Sequence, residues 1–213
     1  SRVRAIHPPI DPRLLRPPAP RPAGANPVPV LLTVARLERR KGIHVVLRLL
    51  PELRRRHPRL TYVVAGDGPA RRELEALANA LGLSEAVRFV GDVRPDQLPA
   101  LYQSCDLFVM LPTPRVERGE VEGFGMVYLE AAACGRPSVA WRGGGVEEAV
   151  VDGRTGIVVE GGDAAAAGQA ILELLADGER RRRLGVEAAK WARECAARTR
   201  QALRALDAGE DEP

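Results

Sequence analysis

From residue 28 onward the chain alternates two hydrophobic patterns. Short runs that are apolar at nearly every position fall at 30–35, 60–65, 86–90, 107–111, 137–141 and 156–159. Between them, at 41–56, 70–81, 95–104, 125–134, 147–151, 164–176 and 179–206, apolar residues recur every three or four positions among charged ones. Runs of four to six residues predict strands covered on both faces, and the longer amphipathic stretches predict helices. Gly82 and Gly135 stand where two of these helices should end, and Pro95 near the start of a third. Strands alternating with helices define βαβ units, so the expected fold is α/β: a doubly wound parallel sheet of about six strands. Ligands of such sheets bind beyond the carboxyl ends of the strands. The loops at 36–41, 66–69, 91–95, 112–125 and 142–146 are therefore the places to seek chemistry.

The first 29 residues break the pattern, carrying nine of the 18 prolines. Such density predicts an extended, stiff segment, a linker entering a domain at 30–206. An acidic tail at 207–213 is expected to fray. Composition adds exclusions. With 213 residues, 45% of them apolar and 28% charged, the chain can bury an ordinary core. No apolar run reaches the roughly 18 residues of a membrane span. Cys105, Cys134 and Cys195 match no metal or paired-cysteine spacing and suggest reduced thiols, hence the cytoplasm. His7, His44 and His57 form no ligand pair, and no metal is expected. The net charge of +4 hides an asymmetry: +12 over residues 1–72 and −8 over 73–213. The basic third does not predict a nucleic-acid partner, because eight aromatic residues are too few for base stacking. Of the 32 basic residues only Lys41 and Lys190 are lysines, which singles out Lys41 at a loop-to-helix junction.

Four loops carry candidate chemistry. Glu122-Gly123-Phe124-Gly125 opens a helix, where glycines let backbone amides approach an anion favoured by the helix dipole. Glu130 lies eight residues beyond Glu122, about 12 Å along a helix, a span like that from a ribose past a diphosphate. Equally, the glycines could make a plain turn and Glu130 face water. Arg36 and Lys41 flank the loop after the first strand and can reach one anion, Arg as a planar fork and Lys as a point charge, unless both are ordinary surface charge. Gly66-Asp67-Gly68-Pro69 lacks the third glycine of a dinucleotide fingerprint, since Arg71 stands in its place, and reads better as a tight turn. Gly143-Gly144-Gly145 offers either amides for a ligand or a flexible turn.

In order, Val34-Ala35-Arg36-Leu37, Lys41-Gly42, Gly66-Asp67-Gly68-Pro69, Arg88-Phe89-Val90-Gly91, the run from Glu122 to Ala131, Gly135-Arg136-Pro137, Gly144 to Glu148 and Asp152 to Gly156 resemble the C-terminal half of a retaining GT-B glycosyltransferase of the family-4 type. The resemblance implies a Rossmann-like domain that binds a UDP- or GDP-sugar donor. By it, Arg36 and Lys41 hold the diphosphate and stabilise charge as the sugar leaves. Glu122 binds the donor sugar, and the amides of Gly123, Phe124 and Gly125 meet the phosphates or sugar. Glu130 binds the ribose hydroxyls, and Val93 meets the base through its backbone. No metal or other cofactor is implied, because Arg, Lys and the helix dipole replace it. Residues 6–12 resemble the segment joining the two GT-B domains, so an N-terminal acceptor-binding domain, in cis or in trans, is the expected partner for transfer of a hexose. Trp191 and the last helix resemble the segment that crosses back to it. Glu147 departs from the pattern, standing where the family usually has proline. A non-catalytic nucleotide-sugar sensor or scaffold is the alternative, and a nicotinamide-dependent oxidoreductase fits the motifs poorly. The arginines of residues 39–72 imply at most a weak peripheral contact with the inner face of a membrane.

Overall fold

The computed structural model describes residues 9–15, 28–113 and 124–207. Six parallel strands form one sheet in the order β3-β2-β1-β4-β5-β6. They are β1 Val30–Val34, β2 Thr61–Ala65, β3 Val87–Gly91, β4 Leu107–Met110, β5 Ser138–Trp141 and β6 Gly156–Val159. The order runs outward in one direction from β1 and in the other from β4, so the winding reverses between these two neighbours. This is the doubly wound architecture that the hydrophobic pattern predicts.

Side chains alternate across the sheet, and every strand except the edge strand β3 feeds two cores. Leu31, Tyr62, Val64, Leu107, Val109 and Val139 face one core, covered by α1 (Ile43–Arg56), α2 (Arg71–Ala80) and α6 (Ala164–Ala176). Leu32, Val63, Phe108, Met110 and Ala140 face the other, covered by α3 (Leu98–Ser104), α4 (Met126–Ala133), α5 (Val146–Ala149) and α7 (Gly178–Asp207). Helix α1 shows why such segments are helical: Ile43, Val46, Leu47, Leu50 and Leu53 make one buried stripe at spacings of three and four. Thr33 is a buried polar residue in the middle of β1. Its hydroxyl is satisfied by the Tyr62 hydroxyl at 2.7 Å and by the Val109 carbonyl, tying β1 to both neighbours.

Two local expectations are corrected. The helix expected over 41–56 begins later: Arg39–Lys41 form a short 3-10 turn, and Gly42, at φ 72°, separates it from α1. A Cβ at position 42 would overlap the Leu111 carbonyl oxygen, so the backbone approaches the end of β4 as closely as only glycine allows. The second correction concerns the proline-rich start. Residues 9–15 are packed, not free: Leu14 and Leu15 close a turn on the Asp11 and Pro12 carbonyls, and Ile10 and Leu14 are buried in the α3/α4 core. Proline density predicts stiffness, but two apolar residues four apart on a turn gave the segment a face to bury. The other prolines of residues 1–29 up to Pro27, and the tail beyond Asp207, lie outside the described residues.

Gly42→Ala should lower the unfolding free energy by about 3 kcal/mol. Gly82→Ala, at φ 69° with nothing near its Cβ, should cost about 1 kcal/mol. Urea denaturation of the two variants reads the difference. Equal losses would show that the approach to Leu111 adds nothing to the dihedral strain.

Candidate functional site

A cleft of about 490 Å³ opens at the carboxyl ends of β1 and β2, beside the reversal of winding. That volume lies within the range of small-ligand sites. Its walls are Val34, Ala35 and Arg36 after β1; Ala65, Gly66 and Asp67 after β2; Asp92 and Val93 after β3; Leu98 of α3; and Val127 of α4. Arg36 is the one cation among these described residues.

Backbone contacts hold the Arg36 loop. The Ala35 amide donates to the Ala65 carbonyl at 3.0 Å and the Leu37 amide to the Asp67 carbonyl at 2.8 Å, while the Ala70 amide donates to the Leu37 carbonyl at 2.9 Å. The Gly66 amide meets the Gly91 carbonyl at 2.7 Å, bringing in the loop after β3. Cβ atoms at Gly66 and Gly68 would overlap the Ala35 and Leu37 backbone. The Gly-Asp-Gly-Pro turn is thus a template for the Arg36 loop. Leu37 is fully buried, whereas the Arg36 side chain stays 71% exposed. Its guanidinium pairs with Glu38 at 3.1 Å, and Glu38 also takes Arg40 at 2.7 Å. Lys41 stands on the 3-10 turn, whose Arg40 carbonyl accepts from the Thr113 amide at 2.8 Å. The turn is therefore fastened to the chain leaving β4.

Helix α4 begins at Gly125, which caps it at φ 69°, ψ 50° in the left-handed region. Phe124 packs on the α3/α4 core. Glu130 lies one turn beyond Val127 on the same face of α4, so it stands beside the cleft. Its Oε2 accepts from the hydroxyl of the buried Tyr102 at 2.6 Å. Burial pushes the Glu130 pKa up, the Tyr102 bond opposes this, and the nearby Asp11 carboxylate adds to the rise. Burial likewise pushes the Cys105 and Cys134 thiols up to about 12, which leaves them protonated and unreactive at neutral pH.

Of the sequence candidates, Arg36 and Val93 meet in the cleft lining. Lys41, Phe124, Gly125 and Glu130 stand outside that lining, on the elements around it. Glu122 and Gly123 lie outside the described residues. Gly143 and Gly144 take positive φ in a turn leading to α5, and Glu147, in place of the usual proline, pairs with Arg142, which also holds Glu160 at 2.9 Å. Sequence reasoning flagged the loops bearing Asp67 and Asp92 without giving either carboxylate a role, and missed Leu98 and Val127 as lining residues and Tyr102 and Asp11 as neighbours of Glu130. Asp67 and Asp92 adjoin glycines already noted, so position after a strand was an available signal. Tyr102 gave none, because its apolar neighbours mark it as core.

Strand order and a cleft at the reversal of winding define a Rossmann-like α/β domain with a ligand-sized site at its switch point. Residues 20–191 match the family described as glycosyl transferases group 1, and the chain belongs to that family. It is 43% identical over 169 residues to a GDP-mannose-dependent alpha-(1-6)-phosphatidylinositol monomannoside mannosyltransferase of Mycolicibacterium smegmatis, covering 79% of this chain and 44% of that protein. It is 40% identical over 155 residues to a D-inositol 3-phosphate glycosyltransferase of Corynebacterium urealyticum, covering 70% of this chain and 35% of that one. Among solved structures, Anabaena HepE in complex with UDP-glucose superposes with a TM-score of 0.73 at 28% identity, over 86% of this chain and 50% of that chain. The chain thus spans less than half the length of these curated relatives.

Glu38 occupies Arg36 with an anion of the protein's own. Glu38→Gln should release it and tighten binding of inorganic pyrophosphate about two- to fivefold, the worth of one exposed ion pair. Isothermal titration at low salt measures this, and weaker binding would show that Glu38 orients Arg36 instead of competing for it.

Proposed function

We propose that this chain is the nucleotide-sugar donor domain of a retaining glycosyltransferase that transfers a hexose. The cleft beneath Arg36, at the reversal of strand order, carries this reading. In it Arg36 and Lys41 bind the donor diphosphate and stabilise negative charge as the sugar leaves. The α4 start, through Gly123, Phe124 and Gly125, adds amides and a dipole directed at the same charge. Glu122 holds the sugar, Glu130 the ribose, and Val93 the base through its backbone. Phosphate charge is met by side chains and the helix dipole, so this mechanism uses no metal.

The relative at 43% identity is named for GDP-mannose, which makes GDP-mannose the first donor to test and UDP-glucose the second. Transfer requires an acceptor-binding N-terminal domain, joined or separate. We place the reaction in the cytoplasm, where the three buried thiols stay reduced.

Calorimetry with GDP-mannose and UDP-glucose should show binding of one donor. Arg36→Ala, Lys41→Ala and Glu130→Ala should each weaken it about 10- to 100-fold, the worth of a charge-assisted hydrogen bond. Unchanged affinity in all three variants would remove the site assignment. Joining the chain to the N-terminal domain of a relative tests transfer itself: donor binding without transfer would favour a sensor module over an enzyme.

A further inference from the structure

Tyr102 is fully buried on α3, yet it carries a hydroxyl into an apolar core. A buried phenol needs a partner, and this one donates to Oε2 of Glu130 at 2.6 Å, a short bond to a charged acceptor. The ring has little freedom. It packs on Phe108 of β4 at 5.9 Å between centroids, and Phe108 meets Tyr128 of α4 edge-on at 5.5 Å. Tyr128 is fixed in turn by its own hydroxyl, which donates to the Met110 carbonyl at 2.7 Å. Three aromatic rings thus lock α3 and α4 to β4, at the strand where the winding reverses.

The consequence falls on Glu130. Oε2 is occupied by Tyr102, and among the described residues Oε1 accepts no hydrogen bond. We infer that Tyr102 is a positioning residue of the donor site: its hydroxyl clamps one oxygen of Glu130 and thereby aims the other at the ligand's ribose hydroxyls. This rests on the reading of Glu130 under Proposed function. Donation from Tyr102 also favours the carboxylate over the acid, the form that accepts from hydroxyls. Among the described residues, the charged and titratable groups facing Glu130 are Tyr102 from α3, Asp11 from residues 9–15 and Cys134, which caps the end of α4 one turn further on. Burial pushes the Tyr102 and Cys134 groups up, so both stay protonated across the neutral range and only Asp11 brings charge. Asp11 disfavours the Glu130 carboxylate, and Tyr102 is the partner that sustains it.

The test compares the wild-type chain with Tyr102→Phe, which removes one oxygen and keeps the ring. The probes are GDP and UDP with their 2′,3′-dideoxy analogues, titrated by calorimetry between pH 5 and 8. The wild type should bind one ribonucleotide and prefer it to its dideoxy analogue. In Tyr102→Phe the ribonucleotide affinity should fall about tenfold while the dideoxy affinity barely moves, so the preference collapses. Affinity for the ribonucleotide should also be lost at a higher pH than in the wild type as the solution is acidified. The removed bond was lowering the Glu130 pKa, and binding needs the ionised form.

A merely structural tyrosine would weaken both ligands alike and leave the pH profile in place, and that result overturns the proposal. If Tyr102→Phe does not fold, a crystal structure of the wild-type chain with its nucleotide decides. Tyr102 Oη must remain on one Glu130 oxygen with the ribose on the other, and a ribose held by both oxygens with the hydroxyl displaced overturns it. Failure of the wild type to bind any nucleoside diphosphate removes the reading of the site itself. Binding that depends on Glu130 but not on the Tyr102 hydroxyl overturns the positioning role alone.

Discussion

Glycine backbones at positions 42, 66 and 68 lie against the Leu111, Ala35 and Leu37 backbones at separations no side chain would permit. Most other features of the site follow from this approach. It brings the loops after β1 and β2 into hydrogen-bonding distance, so Leu37 is held on one side by the Asp67 carbonyl and on the other by the Ala70 amide. With Leu37 buried, the preceding residue must face outward, and that residue is Arg36. The same economy acts at Gly42, where the 3-10 turn bearing Lys41 is drawn against the end of β4. A guanidinium on a flexible loop loses side-chain and backbone entropy on binding an anion. Here the backbone share of that cost is already met by folding, and only the exposed side chain remains to be ordered.

The electrostatics divide in the same way. The excess of +12 over residues 1–72 resembles a broad basic surface, but its members act differently. Arg54 donates to the Pro58 carbonyl at the end of α1, and Arg71 bridges Asp67 and Glu75 on α2. Such exposed pairs contribute little each. Arg36 differs in place, not in kind, because it projects over a cleft. Glu38 neutralises it meanwhile, as a partly buried carboxylate shared with Arg40. Beside the cleft stands a group of the other sign. Glu130 is half-buried, and burial opposes its charged form while the hydrogen bond from Tyr102 favours it.

Much of this was legible in the sequence, for a physical reason. Strands buried on both faces are continuous apolar runs, and amphipathic helices show their stripe directly, so the six strands and seven α-helices among the described residues fall where the pattern puts them, within a few residues. Arg36 was legible because a position just after a strand fixes a residue at one edge of the sheet, and Val93 was singled out by the family resemblance. The short turn at Arg39–Lys41 was not, because its three residues have no hydrophobic period of their own; it is closed by Gly42, whose left-handed backbone puts its amide on the Arg39 carbonyl and lies against Leu111, distant in sequence. Tyr102 was hidden for a related cause. Its burial agrees with the apolar pattern of α3, and the partner that gives its hydroxyl a role lies 28 residues away.

The segment at residues 9–15 shows what composition conceals. Ile10 and Leu14 bury themselves in the same core as Tyr102 and Cys134, and the Cys134 thiol faces the Leu14 carbonyl at 3.9 Å. Asp11 is held in place by the amide and guanidinium of Arg13, at 2.9 and 2.6 Å, close enough to Glu130 to disfavour its charge. The chain leading into the sheet therefore takes part in setting the ionisation of a residue beside the cleft. The coupling runs both ways, because interactions between protonation and position are reciprocal free energies. A ligand that fixes Glu130 as a carboxylate increases its repulsion with Asp11, and displacing residues 9–15 would relieve it. Burial of Ile10 and Leu14 opposes that displacement. The site is thus not insulated from the segment that precedes it: the same packing that anchors residues 9–15 holds a carboxylate where it resists the charge on Glu130.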